Sequence, residues 1–233
     1  MRSLTLLLKL SVVAATSRST RVFYDRVSPF YELLFTDHLP HIQTMEAAVT
    51  GRFSAEHQIR VLDMACGTGA LTRRLEERGF RVAALDFSFE SLRRLKQTSR
   101  TSRLIQADAA VLPFGSGCFD VVTCMGAWRH FSEPQRVLHE ICRVLRPGGV
   151  FLVGYFPPKL GGILSIPSGR LGKAVVFLYG HAMRLLSYID RIDQALEREA
   201  LQMIGLAFAM HRLIPSHQRE YLIIAESPRS VSG

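Results

Sequence analysis

The stretch VLDMACGTGALTRRL, residues 61–75, constrains the fold of this chain more than any other feature. It joins an apolar strand that carries Asp63 to a glycine turn and then to the start of a helix. This order of strand, glycine turn and helix is typical of nucleotide-binding units, whose ligands lie at the edge where the strands end. The stretch therefore predicts an open α/β sheet with a binding site at its carboxyl edge.

Strands and helices alternate at short spacing after this unit. Strands are predicted at IRVLDMA, FRVAALDFS, RLIQAD, FDVVTCMGA and VFLVGYF, and helices at ALTRRLEERG, SFESLRRLKQTS and EPQRVLHEICRVLRPGG. Gly79 is expected to close the first of these helices, and Ser88 to cap the start of the second. Such alternation predicts a parallel sheet with helices on both faces.

The end of the chain breaks this alternation. A helix is predicted at DQALEREALQMIGL, followed by two strands, AFAMHRLI and REYLIIAES, that only a few residues separate. A parallel pair would need a crossover of about a dozen residues or more, so these strands must form an antiparallel hairpin. The predicted fold class is α/β: a doubly wound, Rossmann-like, seven-stranded sheet, mostly parallel with an antiparallel last strand.

Residues 1–21 form a basic segment with apolar residues close to one helical face. Lys9 interrupts the apolar region, which disfavours a secretory signal peptide. An organellar transit peptide fits the composition, but we favour a retained amphipathic helix that covers the domain or touches a membrane. No apolar run reaches the roughly 18 residues of a transmembrane helix. The main domain is expected at 22–226, with an apolar insertion at about 156–191 and a disordered tail at 227–233.

The formal net charge of +9 and the pI near 9.9 favour contact with polyanions such as nucleic acid or an anionic membrane surface. The basic residues are scattered in pairs, so a merely basic surface is the favoured interpretation and a nucleic-acid partner is not indicated. The four cysteines lack CxxC or zinc-like spacing, which indicates thiols of a reducing compartment and no metal site. We expect a cytoplasmic protein. Peripheral contact with a membrane and import into an organelle are the alternatives. The sequence does not indicate an oligomeric state.

Acids follow three of the predicted strands: Asp63, Asp86 and Asp108. Asp86 lies about 20 residues beyond the glycine turn, where an acid binds ribose hydroxyls. The third glycine of the dinucleotide fingerprint is replaced by Thr72, and a carboxylate at Asp63 would repel a pyrophosphate. A nucleoside with a cationic tail satisfies both observations, and S-adenosylmethionine is such a ligand.

With these motifs the chain strongly resembles the class I S-adenosylmethionine-dependent methyltransferases over residues 22–226. VLDMACGTGALT resembles their first motif, ALDFS their second-strand acid, QADAAVLPFGSGCFDVV their adenine loop, and RVLRPGGVFLV the turn before the fifth strand. Ala65 replaces a glycine of many members, which is tolerable if its backbone angles are ordinary. FYDRVSPFYELLF resembles the opening segment of the ubiquinone/menaquinone C-methyltransferase-like group, and the insertion at 156–191 resembles the lid of that group. MGAWRHF departs from the signature of the quinone enzymes.

The resemblance implies S-adenosylmethionine as cofactor and assigns its contacts by position. The methionine end would meet the first motif, the ribose and adenine would meet the second-strand acid and the adenine loop, and the transferred methyl group would lie after the fourth strand. The tyrosine of the opening helix would close over the cofactor. The implied cofactor residues are Tyr24, Asp63, Ala65, Gly67, Gly69, Asp86, Phe87, Asp108, Ala109, Met125 and Gly126.

The acceptor side is less constrained. His130 is a candidate general base, although a packed or capping histidine is the more common case. Trp128 and Tyr31 are candidate acceptor contacts, with core packing as the alternative for Trp128. We expect a small, hydrophobic acceptor (quinone-like, isoprenoid or lipid). An RNA or protein methyltransferase is the alternative, although no amino-methylating motif follows the fourth strand. A non-catalytic binding module is the third hypothesis. The three acids at the strand ends argue against it, because a module that binds no cofactor does not need all three.

Overall fold

The structure of the protein is a computed structural model, which describes residues 13, 17, 19–30, 39–54, 58–99, 103–155, 194–215 and 221–228. The predicted insertion at 156–191, Tyr31 and nearly all of the N-terminal segment lie outside the described residues.

Helices and strands alternate through the middle of the chain. The helices are α1 (Thr20–Val27), α2 (Leu39–Thr50), α3 (Ala70–Glu77), α4 (Phe89–Thr98), α5 (Pro134–Val144) and α6 (Gln194–Ala207), with 3-10 helices at Ser28–Phe30 and Trp128–His130. The strands are β1 (Arg60–Met64), β2 (Arg81–Asp86), β3 (Arg103–Gln106), β4 (Phe119–Met125), β5 (Leu145–Tyr155), β6 (Phe208–Pro215) and β7 (Tyr221–Pro228). The last strand extends two residues into the segment assigned to the tail.

The seven strands form one sheet in the order β3-β2-β1-β4-β5-β7-β6. The first five strands pair in parallel, whereas β7 pairs antiparallel with both β5 and β6. The predicted α/β class and the antiparallel hairpin are therefore confirmed. Chain order reverses between β1 and β4, so the loops after these two strands diverge and leave a crevice at the carboxyl edge.

The boundary between α5 and β5 differs from the prediction. The sequence predicted an amphipathic helix in EPQRVLHEICRVLRPGG with its stop at the Pro-Gly, and a strand at VFLVGYF, but α5 ends at Val144 and β5 already begins at Leu145. Pro147 has no amide hydrogen and disfavours helical angles at the residue before it, so the helix has to end upstream. Leu145 instead pairs with Phe119 of β4, and an irregularity after this pair precedes the regular ladder.

Alternate residues of the strands serve two separate cores. Leu62, Val122 and Phe151 pack in a cluster with residues of α5 and α6. Their neighbours Val61 and Val121 pack on the opposite face with residues of α2 and α3. Because both faces are covered, the central strands are apolar on both sides, as the sequence pattern predicted. Across the described residues, no helix combines the length and the apolar character that crossing a membrane requires.

Candidate active site

The glycine loop, residues 65–69, follows β1 at the point where the strand order reverses. Two of its amides are held by the neighbouring strand β2. The Cys66 amide donates to the Leu85 carbonyl at 3.0 Å, and the Gly67 amide donates to Asp86 Oδ2 at 2.8 Å. The loop is therefore fixed against β2 before any ligand binds.

Ala65 does not have the ordinary backbone angles that the sequence analysis required of it. Its φ is +55°, in the left-handed region, where an L-residue with a Cβ is strained. The condition under which alanine is tolerable at this position, ordinary backbone angles, is therefore not met. Gly67 and Gly69, two and four residues later, also have positive φ values, of 56° and 81°.

The two loop glycines have different reasons to lack a side chain. A Cβ on Gly69 would lie 2.2 Å from Cδ1 of the buried Leu95, so Gly69 permits α3 and α4 to pack closely. A Cβ on Gly67 would meet nothing within 4 Å. Gly67 therefore exposes its backbone to open space, as a loop that a ligand approaches closely requires.

Asp86 ends β2 and is almost completely buried. Oδ2 accepts the Gly67 amide, and Oδ1 accepts the Ser88 amide at 2.8 Å. Burial is the main cause that raises the pKa of Asp86, and the charge of Asp25 raises it further. A carboxylate offers about four acceptor sites, and the amide of Phe87 is a third backbone group that binds this one, so Asp86 retains capacity for a further hydroxyl group.

Asp63 lies beneath the glycine loop with only 2% of its surface exposed. The hydroxyl of Thr72 donates to Oδ2 at 2.5 Å, and the hydroxyl of Thr123 donates to Oδ1 at 2.9 Å. Burial raises the pKa of Asp63 to about 6, partly offset by these two hydrogen bonds. A nearby cation would stabilise the charged form of such a carboxyl.

Tyr24 of α1 lies between the residue after β2 and the 3-10 helix after β4. Its hydroxyl is 3.1 Å from Nε2 of His130, and the two rings meet edge-on at 5.6 Å. On its other side the ring lies 6.1 Å from that of Phe87. The structure therefore brings together three residues that the sequence assigned separately, and α1 spans the crevice at the carboxyl edge.

Asp25 anchors α1 in this position, and the sequence analysis missed it. Its Oδ1 accepts the Ser88 hydroxyl at 2.7 Å and the Glu90 amide at 3.4 Å, at the start of α4. Ser88 is also the N-cap of α4, as predicted, because its side chain accepts the Ser91 amide. Since the Ser88 amide binds Asp86, this one residue connects α1 to the buried acid.

The remaining cofactor candidates lie in the loops after β3 and β4. Asp108 is exposed and accepts the Ala110 amide at 2.9 Å, whereas Ala109 is buried. Met125 ends β4, and Gly126 follows it with a positive φ of 71°. These positions place them at the same edge as the glycine loop, and their contacts with a cofactor remain predictions.

Trp128 is only 8% exposed and belongs to the core. Its ring packs edge-on against Phe131 at 5.8 Å and lies 5.9 Å from the ring of Phe151. This placement favours the packing alternative over an acceptor contact. Tyr31, the other acceptor candidate, lies outside the described residues.

The cysteines of the chain are free thiols. Burial raises the pKa of Cys66, in the glycine loop, well above its ordinary value, and the charges of Asp86 and Asp63 raise it further. This direction favours the neutral thiol, which is a much weaker nucleophile than the thiolate. The part of the chain that the structure describes contains no cluster of three or more His, Cys, Asp or Glu residues that could hold a metal ion.

Comparison with known proteins gives consistent matches. Residues 62–153 match the family model of a methyltransferase domain. A demethylmenaquinone methyltransferase of Thermus thermophilus is 39% identical over 113 residues, which cover 46% of this chain and 51% of that relative's length. A malonyl-acyl-carrier-protein O-methyltransferase of Enterobacter lignolyticus is 30% identical over 190 residues, which cover 80% of this chain and 72% of the relative. The chain thus spans about half the length of the first of these relatives.

Comparison of the fold with solved structures gives a match to the same class of protein. A solved structure from Methanococcus maripaludis, assigned to the S-adenosylmethionine-dependent methyltransferases, superposes with a TM-score of 0.64 at 17% identity and covers 91% of this chain and 95% of its own. An open α/β sheet with a glycine loop and a strand-end acid at its switch point defines a nucleoside-binding enzyme class. This fold and the matches to the family model and to the Enterobacter relative show that the chain belongs to the class I S-adenosylmethionine-dependent methyltransferases.

Proposed function

We propose that the chain transfers a methyl group from S-adenosylmethionine to a small, hydrophobic acceptor of quinone-like, isoprenoid or lipid character. The observation that carries this proposal is the position of Tyr24 between Phe87 and His130 at the carboxyl edge of the sheet. In this arrangement Phe87 marks the side where the nucleoside would bind and His130 the side where the acceptor would bind, and the helix α1 lies over both.

The residues at the edge fit the donor. Asp86 is a strand-end carboxylate at the place where a ribose would lie, and the amides of Gly67, Ser88 and Phe87 do not use all of its acceptor sites. Gly67 leaves open space beside its backbone, and Asp63 places a carboxyl group under the loop where the cationic methionine end would lie. Phe87 and Ala109 offer apolar contacts to a nucleobase.

When bound, S-adenosylmethionine supplies a methyl group that its sulfonium already activates. The residues of this chain therefore have to align the acceptor and exclude water, and alignment alone is worth up to roughly 7 to 11 kcal/mol. The helix α1 serves both needs, because Asp25 anchors it on α4 while Tyr24 extends across the crevice to His130.

His130 is the proposed general base. It follows β4 beside Met125 and Gly126, on the acceptor side of the edge. The base role requires the tautomer in which Nε2–H donates to the Tyr24 hydroxyl, which fixes the orientation of the ring and makes Nδ1 the nitrogen that would take the proton. A phenol-like hydroxyl or an acidic carbon of the acceptor would lose its proton to this ring.

The acceptor class is supported from two directions. The Thermus relative is named a demethylmenaquinone methyltransferase, and two aromatic rings, those of Tyr24 and Phe87, border the crevice. The sequence of the insertion at 156–191 is apolar with flanking basic residues. We extend the proposal to peripheral contact with a membrane, where such acceptors dissolve and where a positive chain is attracted to anionic lipid.

The experiment is a transfer assay with methyl-labelled S-adenosylmethionine and an extract that contains lipids, soluble metabolites, RNA and protein. The products are separated into organic-soluble, aqueous and precipitable fractions. Label in the organic fraction supports the proposal. Label in the precipitate instead overturns the acceptor class in favour of RNA or protein, and label in the aqueous fraction overturns it in favour of a polar metabolite.

Two variants make the assay specific. Asp86→Asn keeps one side-chain oxygen, for the Gly67 amide, but loses the charge and the acceptor for the Ser88 amide, so transfer should fall through weaker cofactor binding. Glu133→Gln alters an exposed side chain at the residue just before α5 and serves as the matched control. If the parent chain fails to bind S-adenosylmethionine in a calorimeter, the enzymatic proposal is wrong and a non-catalytic module remains.

A further inference from the structure

An ion pair on α5 contacts the loop between β3 and β4 rather than the crevice itself. Arg143 donates from Nε to Oε1 of Glu140 and from Nη2 to Oε2, both at 2.7 Å. This two-point geometry is the strong form of an arginine–carboxylate pair. The hydrogen bond from Arg143 is also the main cause that lowers the pKa of Glu140, so the pair stays charged at neutral pH.

Both partners also bind backbone groups of loop 107–118, the segment between β3 and β4. The Leu112 amide donates to Glu140 Oε2 at 2.7 Å. Arg143 donates to the Phe114 carbonyl at 2.7 Å and to the Leu112 carbonyl at 3.1 Å. The Gly117 amide donates to the backbone carbonyl of Arg143 at 2.9 Å. Three backbone positions of the loop are thus attached to one turn of α5.

The rest of the loop is attached to the end of β2, where the Ala107 amide donates to the Asp86 carbonyl at 3.2 Å. It contains no helix or strand, and Asp108 forms a local turn by accepting the Ala110 amide. Ala109, Ala110 and Leu112 are buried, while Val111 between them is 60% exposed. Because backbone polar groups need partners, the side chains of α5 replace the ladder that a strand would have supplied.

We propose that Glu140 and Arg143 are positioning residues that hold loop 107–118 in the conformation that reads the nucleobase of the methyl donor. This inference rests on the proposed function, in which Asp108 and Ala109 meet the adenine. Neither side chain of the pair touches the donor. They set where Asp108 and Ala109 lie by fixing the backbone from Leu112 to Gly117.

The test compares Arg143→Ala, Arg143→Lys and Glu140→Gln with Arg136→Ala. Arg136 and Glu133 form a second pair at the same spacing on the same helix, but their side chains are 58% and 55% exposed, which makes Arg136→Ala the matched control. Binding of S-adenosylhomocysteine and of its inosine analogue is measured by calorimetry on protein shown to be folded. Methyl transfer gives KM for the donor and kcat.

Arg143→Ala should weaken S-adenosylhomocysteine binding about tenfold or more and reduce the preference for adenine over hypoxanthine, since several charge-assisted bonds to the loop are lost. KM for the donor should rise while kcat changes less than about twofold. Glu140→Gln retains an acceptor for the Leu112 amide, so it should lose less affinity for S-adenosylhomocysteine than Arg143→Ala does. Arg143→Lys keeps the positive charge but loses the two-point geometry of the guanidinium group. Its affinity for S-adenosylhomocysteine should lie between that of the parent and that of Arg143→Ala.

A lower melting temperature with unchanged affinity and unchanged base preference would overturn the inference, since the pair would then only stabilise the fold. Hydrogen exchange of the Leu112 and Phe114 amides in the ligand-free protein separates this inference from the proposed function. Faster exchange in Arg143→Ala, with no donor binding by the parent, would mean that the pair holds the loop but that the proposed function is wrong.

Discussion

The hydroxyl of Tyr24 lies 3.1 Å from Nε2 of His130, and this contact connects α1 to the 3-10 helix after β4. The two residues are 106 positions apart in the chain. The contact couples the candidate base His130 to the helix that carries Tyr24. The effect of a substitution at either residue should therefore depend on whether the other residue is present.

Tyr24→Phe removes the hydroxyl and keeps the ring. It should lower kcat/KM for methyl transfer by about three- to tenfold, the value of one hydrogen bond, because the orientation of His130 is lost. In a His130→Ala background the same change should have almost no effect, and a double-mutant cycle measures this coupling. An equal loss in both backgrounds would mean that Tyr24 acts independently of His130.

Ala65→Gly should stabilise the fold by about 1 kcal/mol, because glycine adopts the positive φ of 55° without strain. Thermal unfolding should show a rise of about 2 to 4 °C for a chain of this size. Ala47→Gly, at an exposed position inside α2, is the control and should destabilise by about 1 kcal/mol. A loss of stability in both variants would show that the angle at Ala65 carries no strain.

Asp63→Asn should change how stability depends on pH. Burial raises the pKa of Asp63 from 3.8 to about 6, so the folded state binds this proton more tightly than the unfolded state does. The free energy of unfolding therefore falls as pH rises from about 4 to about 6, by about 3 kcal/mol from this group. The asparagine variant lacks this part of the slope, and denaturant unfolding at several pH values measures it.

Thr72→Val provides the comparison for that experiment. The Thr72 hydroxyl donates to Asp63 and lowers its pKa, so its removal should raise that pKa further. The fall in stability should then extend to higher pH than in the parent. Parallel stability profiles for the parent chain and Asp63→Asn would contradict the raised pKa of Asp63.

Asp25→Ala should loosen α1 without unfolding the sheet. The variant loses the acceptor for the Ser88 hydroxyl and the Glu90 amide, two of the contacts that hold α1 on α4, and it keeps the bond from Arg94 Nε to the Ser28 hydroxyl at the end of α1. Amides of α1 should exchange about tenfold faster, while those of β1 keep their protection. Asp25→Asn keeps an acceptor oxygen and should show a smaller effect. Unchanged exchange in α1 would show that other contacts hold the helix.

The alternation of strands and helices was predictable because parallel strands buried on both faces require continuous apolar segments. The short spacing between β6 and β7 was enough to predict their antiparallel pairing, since no crossover fits. The N-cap at Ser88 followed from local chemistry alone. The position of Asp86 at the carboxyl edge likewise followed from its place at the end of a strand.

Other features depended on residues that are distant in sequence. The left-handed angle of Ala65 belongs to a loop that is held against β2, and the start of β5 at Leu145 depends on the pairing of Leu145 with Phe119. The roles of Asp25 and of the pair Glu140 and Arg143 required knowing which helix lies beside which loop. The sequence determined the local conformations and the edge at which the strands end, because these follow from each segment's own residues. Only the tertiary structure decided which side chains meet across that edge, because such contacts depend on how the segments pack together.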